Sequence, residues 1–161
     1  MMNTLKTMLF IIAIPGSLLI VIPSTILEPI EKNAIHLGIF SWLALPFWLI
    51  GLGMLAWCAA DFVRKGQGTP APVDAPKQLV VSGLYHFVRN PMYVGVLLFA
   101  AGNVFWYGSP VMVGYMLFLW LAFQVFILLY EEPHLRKVFG VEYLEYCQSV
   151  PRWLPRFKRS S

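Results

Sequence analysis

The sequence predicts an all-α integral membrane protein, a single membrane domain over residues 1–161, with about four transmembrane helices, a cytoplasmic loop and a C-terminal amphipathic helix. Three observations carry that expectation. Of 161 residues, 58% are hydrophobic and 12% charged, and the charges are confined to a few stretches where a soluble exterior needs them spread. Four apolar runs approach the roughly 20 residues that cross a bilayer. The basic residues then fall on one side of those runs with a single exception, as the positive-inside rule requires.

The first run, residues 8–27, carries Pro15 and Pro23, which predict kinks or local unwinding because proline removes a backbone donor. A cleaved signal peptide competes for this segment, but the run is long and no small-x-small cleavage site follows it. The second run, residues 39–63, contains Pro46 and the pair Gly51 and Gly53, small residues that let helices approach closely. The third and fourth, residues 91–107 and 110–130, are separated only by Gly108-Ser109, with Pro110 suited to a first helical turn. They are expected to form a tight antiparallel hairpin.

With the N-terminus cytoplasmic, Lys6, Arg64, Lys65, Lys77, Arg89, Arg136, Lys137, Arg152, Arg156, Lys158 and Arg159 all face the cytoplasm, and Lys32 alone lies outside. Both termini share that side, as do segments 64–90 and 131–161. The first segment opens with a linker, Gly66-Gln67-Gly68-Thr69-Pro70-Ala71-Pro72; Gln78-Leu79-Val80-Val81 then reads as extended, with a turn at Ser82-Gly83. The second begins with a helix on which Leu135, Phe139, Tyr143 and Tyr146 share a face, placing it on the bilayer or across the end of the bundle. After it, Pro151-Arg152-Trp153-Leu154-Pro155-Arg156-Phe157-Lys158-Arg159 interleaves aromatics with cations, as interfacial anchors do.

Several functional classes find no support. Cys58 and Cys147 have no paired spacing, and His36, His86 and His134 lie in three different segments, so neither a disulfide framework nor a metal centre is indicated. No nucleophile elbow, Walker loop or dinucleotide fingerprint occurs. The net charge of +4 arises from residues that hug the bilayer, which favours membrane lipids over nucleic acid as the partner.

Two polar clusters remain, each where an apolar run meets a polar stretch at the same face. Arg89-Asn90-Pro91 opens the third run, with Asn90 placed as a helix N-cap and Arg89 able to hold an anionic group or to snorkel to phosphate. Glu131-Glu132-Pro133 closes the fourth, where carboxylates oppose the helix dipole and need a cation or solvent. Tyr85 and Tyr93 flank the first cluster and, with the extended Gln78-Leu79-Val80-Val81 piece, suit a wall for a flat ring such as adenine. An acidic residue opposite that wall suits a positive centre or a ribose diol.

The ordered combination Ser82-Gly83-Leu84-Tyr85, Arg89-Asn90-Pro91-Met92-Tyr93-Val94-Gly95, Glu131-Glu132-Pro133-His134-Leu135, Phe139-Gly140-Val141-Glu142-Tyr143-Leu144-Glu145-Tyr146 and Val150-Pro151-Arg152-Trp153 resembles the isoprenylcysteine carboxyl methyltransferase family. Its prokaryotic relatives and the phospholipid N-methyltransferases share much of this pattern, and the similarity covers residues 77–156. The resemblance implies a methyltransferase that binds S-adenosylmethionine at the cytoplasmic side without a Rossmann domain. The acceptor is expected to be small or lipophilic and to enter from the bilayer, because the site lies between spans. Carried over residue by residue, the cofactor contacts fall on Lys77, Gln78, Leu79, Val80, Tyr85, Asn90, Pro91, Met92, Tyr93 and Glu131. Arg89 is then the residue to hold an anionic substrate group or orient the acceptor, with Glu132 as its polar partner. The chain departs from the family at Asn90, where histidine is usual, and at Ile127, where the eukaryotic enzymes place an arginine for the substrate carboxylate. Two other functions compete: an NADPH-dependent membrane reductase related to the sterol reductases, which share the Tyr-x-x-Tyr and Val-Pro tail, and a noncatalytic membrane scaffold.

Overall fold

The computed structural model describes residues 15–27, 34, 35, 37–64 and 79–155. Among them every regular element is helical. In chain order these are α1 (Ser17–Leu27), a 3₁₀ turn Gly38–Leu43 that runs into α2 (Ala44–Arg64), a second 3₁₀ turn Gly83–His86, α3 (Pro91–Tyr107), α4 (Pro110–Phe126), a π turn Ile127–Glu131, α5 (Glu132–Phe139) and α6 (Val141–Ser149). Two stretches, Gly38–Asp61 and Pro110–Phe139, are long and apolar enough to cross a membrane, and α1 and α3 are shorter apolar helices. The first predicted span is described only from residue 15 onward, and residues 8–14 lie outside the described part.

The fourth span was expected to end at Tyr130, but the helix that carries it does not. A single 30-residue helix, Pro110–Phe139, carries straight through Glu131-Glu132-Pro133. A proline ring crowds the carbonyl four residues before it, here that of Leu129, and Leu129 sits in the widened π turn that takes up the clash. The break falls instead at Gly140, whose φ of +55° suits glycine alone. Leu135 and Phe139 therefore lie on α5 and Tyr143 and Tyr146 on α6. The apolar face still closes across the bend, because Tyr143, Tyr146 and Val150 are buried together against Leu79, Leu135, Phe139 and Cys147.

The larger core unites α1 to α4 through Leu19, Leu55, Val96, Phe99, Ala100 and Leu119. Its polar links answer the predicted kink. Pro23 has no N–H for the Leu19 carbonyl, which instead accepts from Asn103 Nδ2 at 2.8 Å. Trp48 Nε1 fixes the other end of that amide at 2.9 Å, and Tyr115 donates to the Leu18 carbonyl at 2.9 Å. Helices α3 and α4 thus satisfy backbone groups of α1 that hydrocarbon would leave bare, and α2 holds the α3 amide in place.

Helices α2 and α3 cross where glycine meets glycine. A methyl group on Gly51 would stand 2.7 Å from the Gly95 carbonyl oxygen, whereas one on Gly53 meets nothing within 4 Å. Only Gly51 of the predicted pair serves the close approach. Gly51→Leu should lower the thermal midpoint of the detergent-solubilised protein, since overpacking typically costs about 1–3 kcal/mol or more, and Gly53→Leu should leave it unmoved. Equal losses at the two positions would refute this crossing.

The hairpin forms as expected. Gly108, in the left-handed region at φ +59°, ends α3, and Ser109 Oγ accepts from the N–H groups of Val111 at 3.1 Å and Met112 at 3.3 Å while Pro110 fills the first turn. Outward faces are apolar, with Leu49, Trp57, Leu117, Phe118, Leu121 and Leu129 all exposed.

Candidate active site at the head of helix three

The loop before α3 is fixed from both sides. Gly83 enters its 3₁₀ turn at φ +64°, where a side chain would run into Asp61. The Tyr85 carbonyl accepts from Tyr146 Oη at 2.6 Å, and burial pushes the Tyr146 phenol well above its ordinary range, so it remains a protonated donor. The Tyr85 hydroxyl shares a hydrogen bond with Cys58 and lies within electrostatic reach of Glu131. The Arg89 N–H donates to the Pro151 carbonyl at 2.8 Å. Asn90 holds the N-cap position of α3, but its side chain does not cap the helix as predicted. It reaches the Arg152 carbonyl, with Nδ2 at 3.4 Å, because the C-terminal segment passes over the helix start.

Adjacent glutamates part company here, since successive residues on a helix point about 100° apart. Glu131 Oε2 accepts from Tyr93 Oη at 2.8 Å, and the Tyr93 ring packs on Phe123 with centroids 4.7 Å apart. Glu132 is buried, at 4% exposure, among three guanidinium groups. Its Oε1 accepts from Arg89 Nη1 at 3.0 Å and Arg152 Nε at 2.6 Å, and its Oε2 from Arg152 Nη2 at 2.9 Å and Arg136 Nη2 at 3.5 Å. The Arg152 fork is bidentate, the strongest geometry for such a pair.

Arg89 does not snorkel. Its side chain is 11% exposed, and Nη1 also donates to Cys147 Sγ at 2.8 Å. Of the predicted surface anchor, residues 156–159 lie outside the described residues, and the described Arg152 and Trp153 are bonded within the protein. Arg152 binds Glu132, and Trp153 Nε1 donates to Gln124 Oε1 at 2.9 Å, so residues 150–153 strap the start of α3 to α4.

Of the residues carried over from the resemblance, Tyr85, Tyr93 and Glu131 converge, and Arg89 and Glu132 pair with each other. Val80, Asn90 and Pro91 are buried beside them in sequence. Leu79 packs against α6 and Met92 against the four-helix core, so their side chains serve packing. Lys77 and Gln78 lie outside the described residues. Sequence reasoning assigns no place in the site to Arg152, Cys147, Gln124 or Tyr146, and reads Arg152 as an anchor and Tyr146 as part of an apolar face. Arg152 follows Glu132 by twenty residues, and a lone arginine in an aromatic and cationic run carries no sign of a buried partner.

A family model described as phospholipid methyltransferase matches residues 39–142, which includes both polar clusters. The chain belongs to the phospholipid methyltransferase family. This family member is 29% identical over 128 residues to protein-S-isoprenylcysteine O-methyltransferase A of Arabidopsis thaliana, a match covering 73% of the chain and 64% of the relative. It is 41% identical over 122 residues to the protein-S-isoprenylcysteine O-methyltransferase of Xenopus laevis, covering 69% and 42%, and 40% identical over 81 residues to that of Homo sapiens, covering 50% and 28%. The matched part of this phospholipid methyltransferase family member thus spans less than two thirds of the length of each of these relatives. Their names agree with the resemblance to the isoprenylcysteine carboxyl methyltransferases carried by the motifs. No solved structure matches the chain at significant similarity.

Proposed function

We propose that this chain is an integral membrane methyltransferase that uses S-adenosylmethionine and acts on a small or lipophilic acceptor entering from the bilayer. The observation that carries the reading is the Tyr93–Glu131 hydrogen bond beside Tyr85, at the head of α3. A carboxylate fixed by a phenol, next to a second aromatic ring, fits a nucleoside with a positive centre. Bound there, the cofactor would supply an electrophilic methyl group on sulfur. The membrane placement is supported by the apolar exterior of the helices, two of which are long and apolar enough to cross a bilayer; in this reading α1 and α3 are the other two of four spans, and both termini and the site are cytoplasmic.

Within this reading Glu131 orients the cofactor and Tyr93 holds Glu131 in place. Tyr85 walls the ring, while Lys77, Gln78, Leu79 and Val80, with Asn90, Pro91 and Met92, supply the backbone and apolar edges. Arg89 orients the acceptor and Glu132 holds Arg89. Methyl transfer from a sulfonium needs an in-line nucleophile and exclusion of water, so positioning supplies most of the acceleration.

Transfer of label from S-adenosylmethionine into a total lipid extract tests the proposal, and binding of NADPH in its place would overturn it. The acceptor class follows from Ile127, which is 1% exposed and stands where the prenylcysteine enzymes carry arginine. A carboxylate brought there meets no cation, and an unpaired buried charge is expensive. Among lipid amines, hydrophobic thiols and prenylcysteines, the last are expected to be the poorest acceptors. Efficient, saturable methylation of a prenylcysteine carboxylate would contradict that expectation.

A further inference from the structure

We infer that Tyr146 is a positioning residue for the cofactor: from α6 its hydroxyl fixes the backbone of Tyr85 and so holds the Tyr85 ring as a wall of the site. The inference rests on the S-adenosylmethionine reading proposed above, and adds to it a residue that acts on the cofactor only through Tyr85.

The need for an outside donor follows from the turn that carries Tyr85. A 3₁₀ turn of four residues, Gly83–His86, is too short to satisfy its own backbone, and hydrogen-bond geometry in such turns is poor. The Tyr85 N–H reaches the Ser82 carbonyl only at 3.3 Å. In a continuing helix the Tyr85 carbonyl would accept from an N–H three or four residues on. Here the Val88 N–H donates to the Leu84 carbonyl at 3.2 Å, and the Arg89 N–H to the Pro151 carbonyl at 2.8 Å. Tyr146 Oη fills that gap at 2.6 Å, from 61 residues away. Burial keeps its phenol protonated, so the donor is always present.

The Tyr146 ring is fixed independently of its hydroxyl. It is 9% exposed and packs with Tyr143 and Val150 against Leu79, Leu135 and Phe139. Tyr85 is held at its other end as well, because its hydroxyl shares a hydrogen bond with Cys58, which is fully buried on α2. The residue therefore bridges two elements, its backbone tied to α6 and its tip to α2. A side chain ordered before the ligand arrives need not be ordered by the ligand, and affinity rises accordingly. Removing the Tyr146 hydroxyl frees the peptide beside Tyr85 and leaves the apolar packing in place. The penalty then appears in cofactor binding, and a bound cofactor restores the wall before the methyl group moves.

Tyr146→Phe in the whole detergent-solubilised protein tests this. Calorimetric affinity for S-adenosylmethionine should fall about three- to tenfold, the contribution of one neutral hydrogen bond. With a total lipid extract as acceptor, the KM for S-adenosylmethionine should rise by the same factor, while kcat at saturating cofactor stays within about twofold. Tyr143→Phe is the control, since it removes a buried phenol hydroxyl from the same cluster, one that bonds Cys147 instead. Its cofactor affinity should match the wild type. In a Tyr85→Ala background, Tyr146→Phe should weaken binding no further, because the wall that it positions is gone. Equal losses in the two phenylalanine variants, a fall in kcat in place of the rise in KM, or an undiminished loss in the Tyr85→Ala background would each overturn the inference and leave Tyr146 a packing residue. Wild-type affinity in Tyr146→Phe would overturn it too, with the proposed activity standing. Failure of the wild-type protein to bind S-adenosylmethionine would overturn the proposed activity and this inference together.

Discussion

Glu132→Gln should melt the C-terminal strap and lower the stability of the whole protein by about 3–5 kcal/mol, the usual loss when one partner of a buried ion pair is removed. The carboxylate is the only acceptor shared by Arg89, Arg136 and Arg152 among the described residues, and only Arg136 is largely exposed, at 54%. Glutamine offers one acceptor oxygen and turns an N–H₂ group toward guanidinium donors, so the bidentate fork with Arg152 cannot reform. Thermal unfolding in detergent reads the global loss, and limited proteolysis of α6 and residues 150–155 reads its location. Arg152→Gln alone should cost less, because Arg89 and Arg136 still neutralise Glu132. In the double variant the losses should fall short of additive, since one interaction is removed twice. A Glu132→Gln protein that melts with the wild type would show that the three arginines do not hold the strap.

The neighbouring substitution should behave in the opposite way. Glu131→Gln is expected to weaken S-adenosylmethionine binding by about 1.5–3 kcal/mol, roughly 10- to 150-fold, the range for a charge-assisted contact in a partly dry site. Folding stability should change little, because the hydrogen bond to Tyr93 can be kept by the glutamine oxygen. His134→Ala is the control: His134 stacks on Tyr130 with ring centroids 6.1 Å apart, and its loss should leave affinity nearly unaltered. Calorimetry on the three proteins distinguishes the cases. Unchanged affinity in the Glu131 variant would remove that residue from the cofactor site, whatever the Glu132 variant does. Side by side, the two adjacent glutamates are expected to separate cleanly, one moving affinity and the other stability.

What the sequence determined by itself was what local chemistry encodes. Composition and the lengths of the apolar runs gave the helical class and the two long helices, because a bilayer-facing exterior selects residues by hydropathy, position by position. Gly108-Ser109-Pro110 announced the hairpin through turn and cap preferences within three residues, and Pro23 announced the π-bonded α1 through its missing donor. The same local signals placed Tyr85, Tyr93 and Glu131 at one end of the bundle. Only the tertiary structure decided which glutamate faces which partner. Glu132 closes on arginines 43 residues before it and 20 after it, and Asn90 turns from its own helix to a carbonyl 62 residues away. Local spacing carries no record of such pairs. The same holds at Pro133, just beyond the predicted end of the fourth span. Proline stops a helix only where its crowding of the preceding turn goes unrelieved, and here the π turn relieves it, leaving Gly140 to make the break.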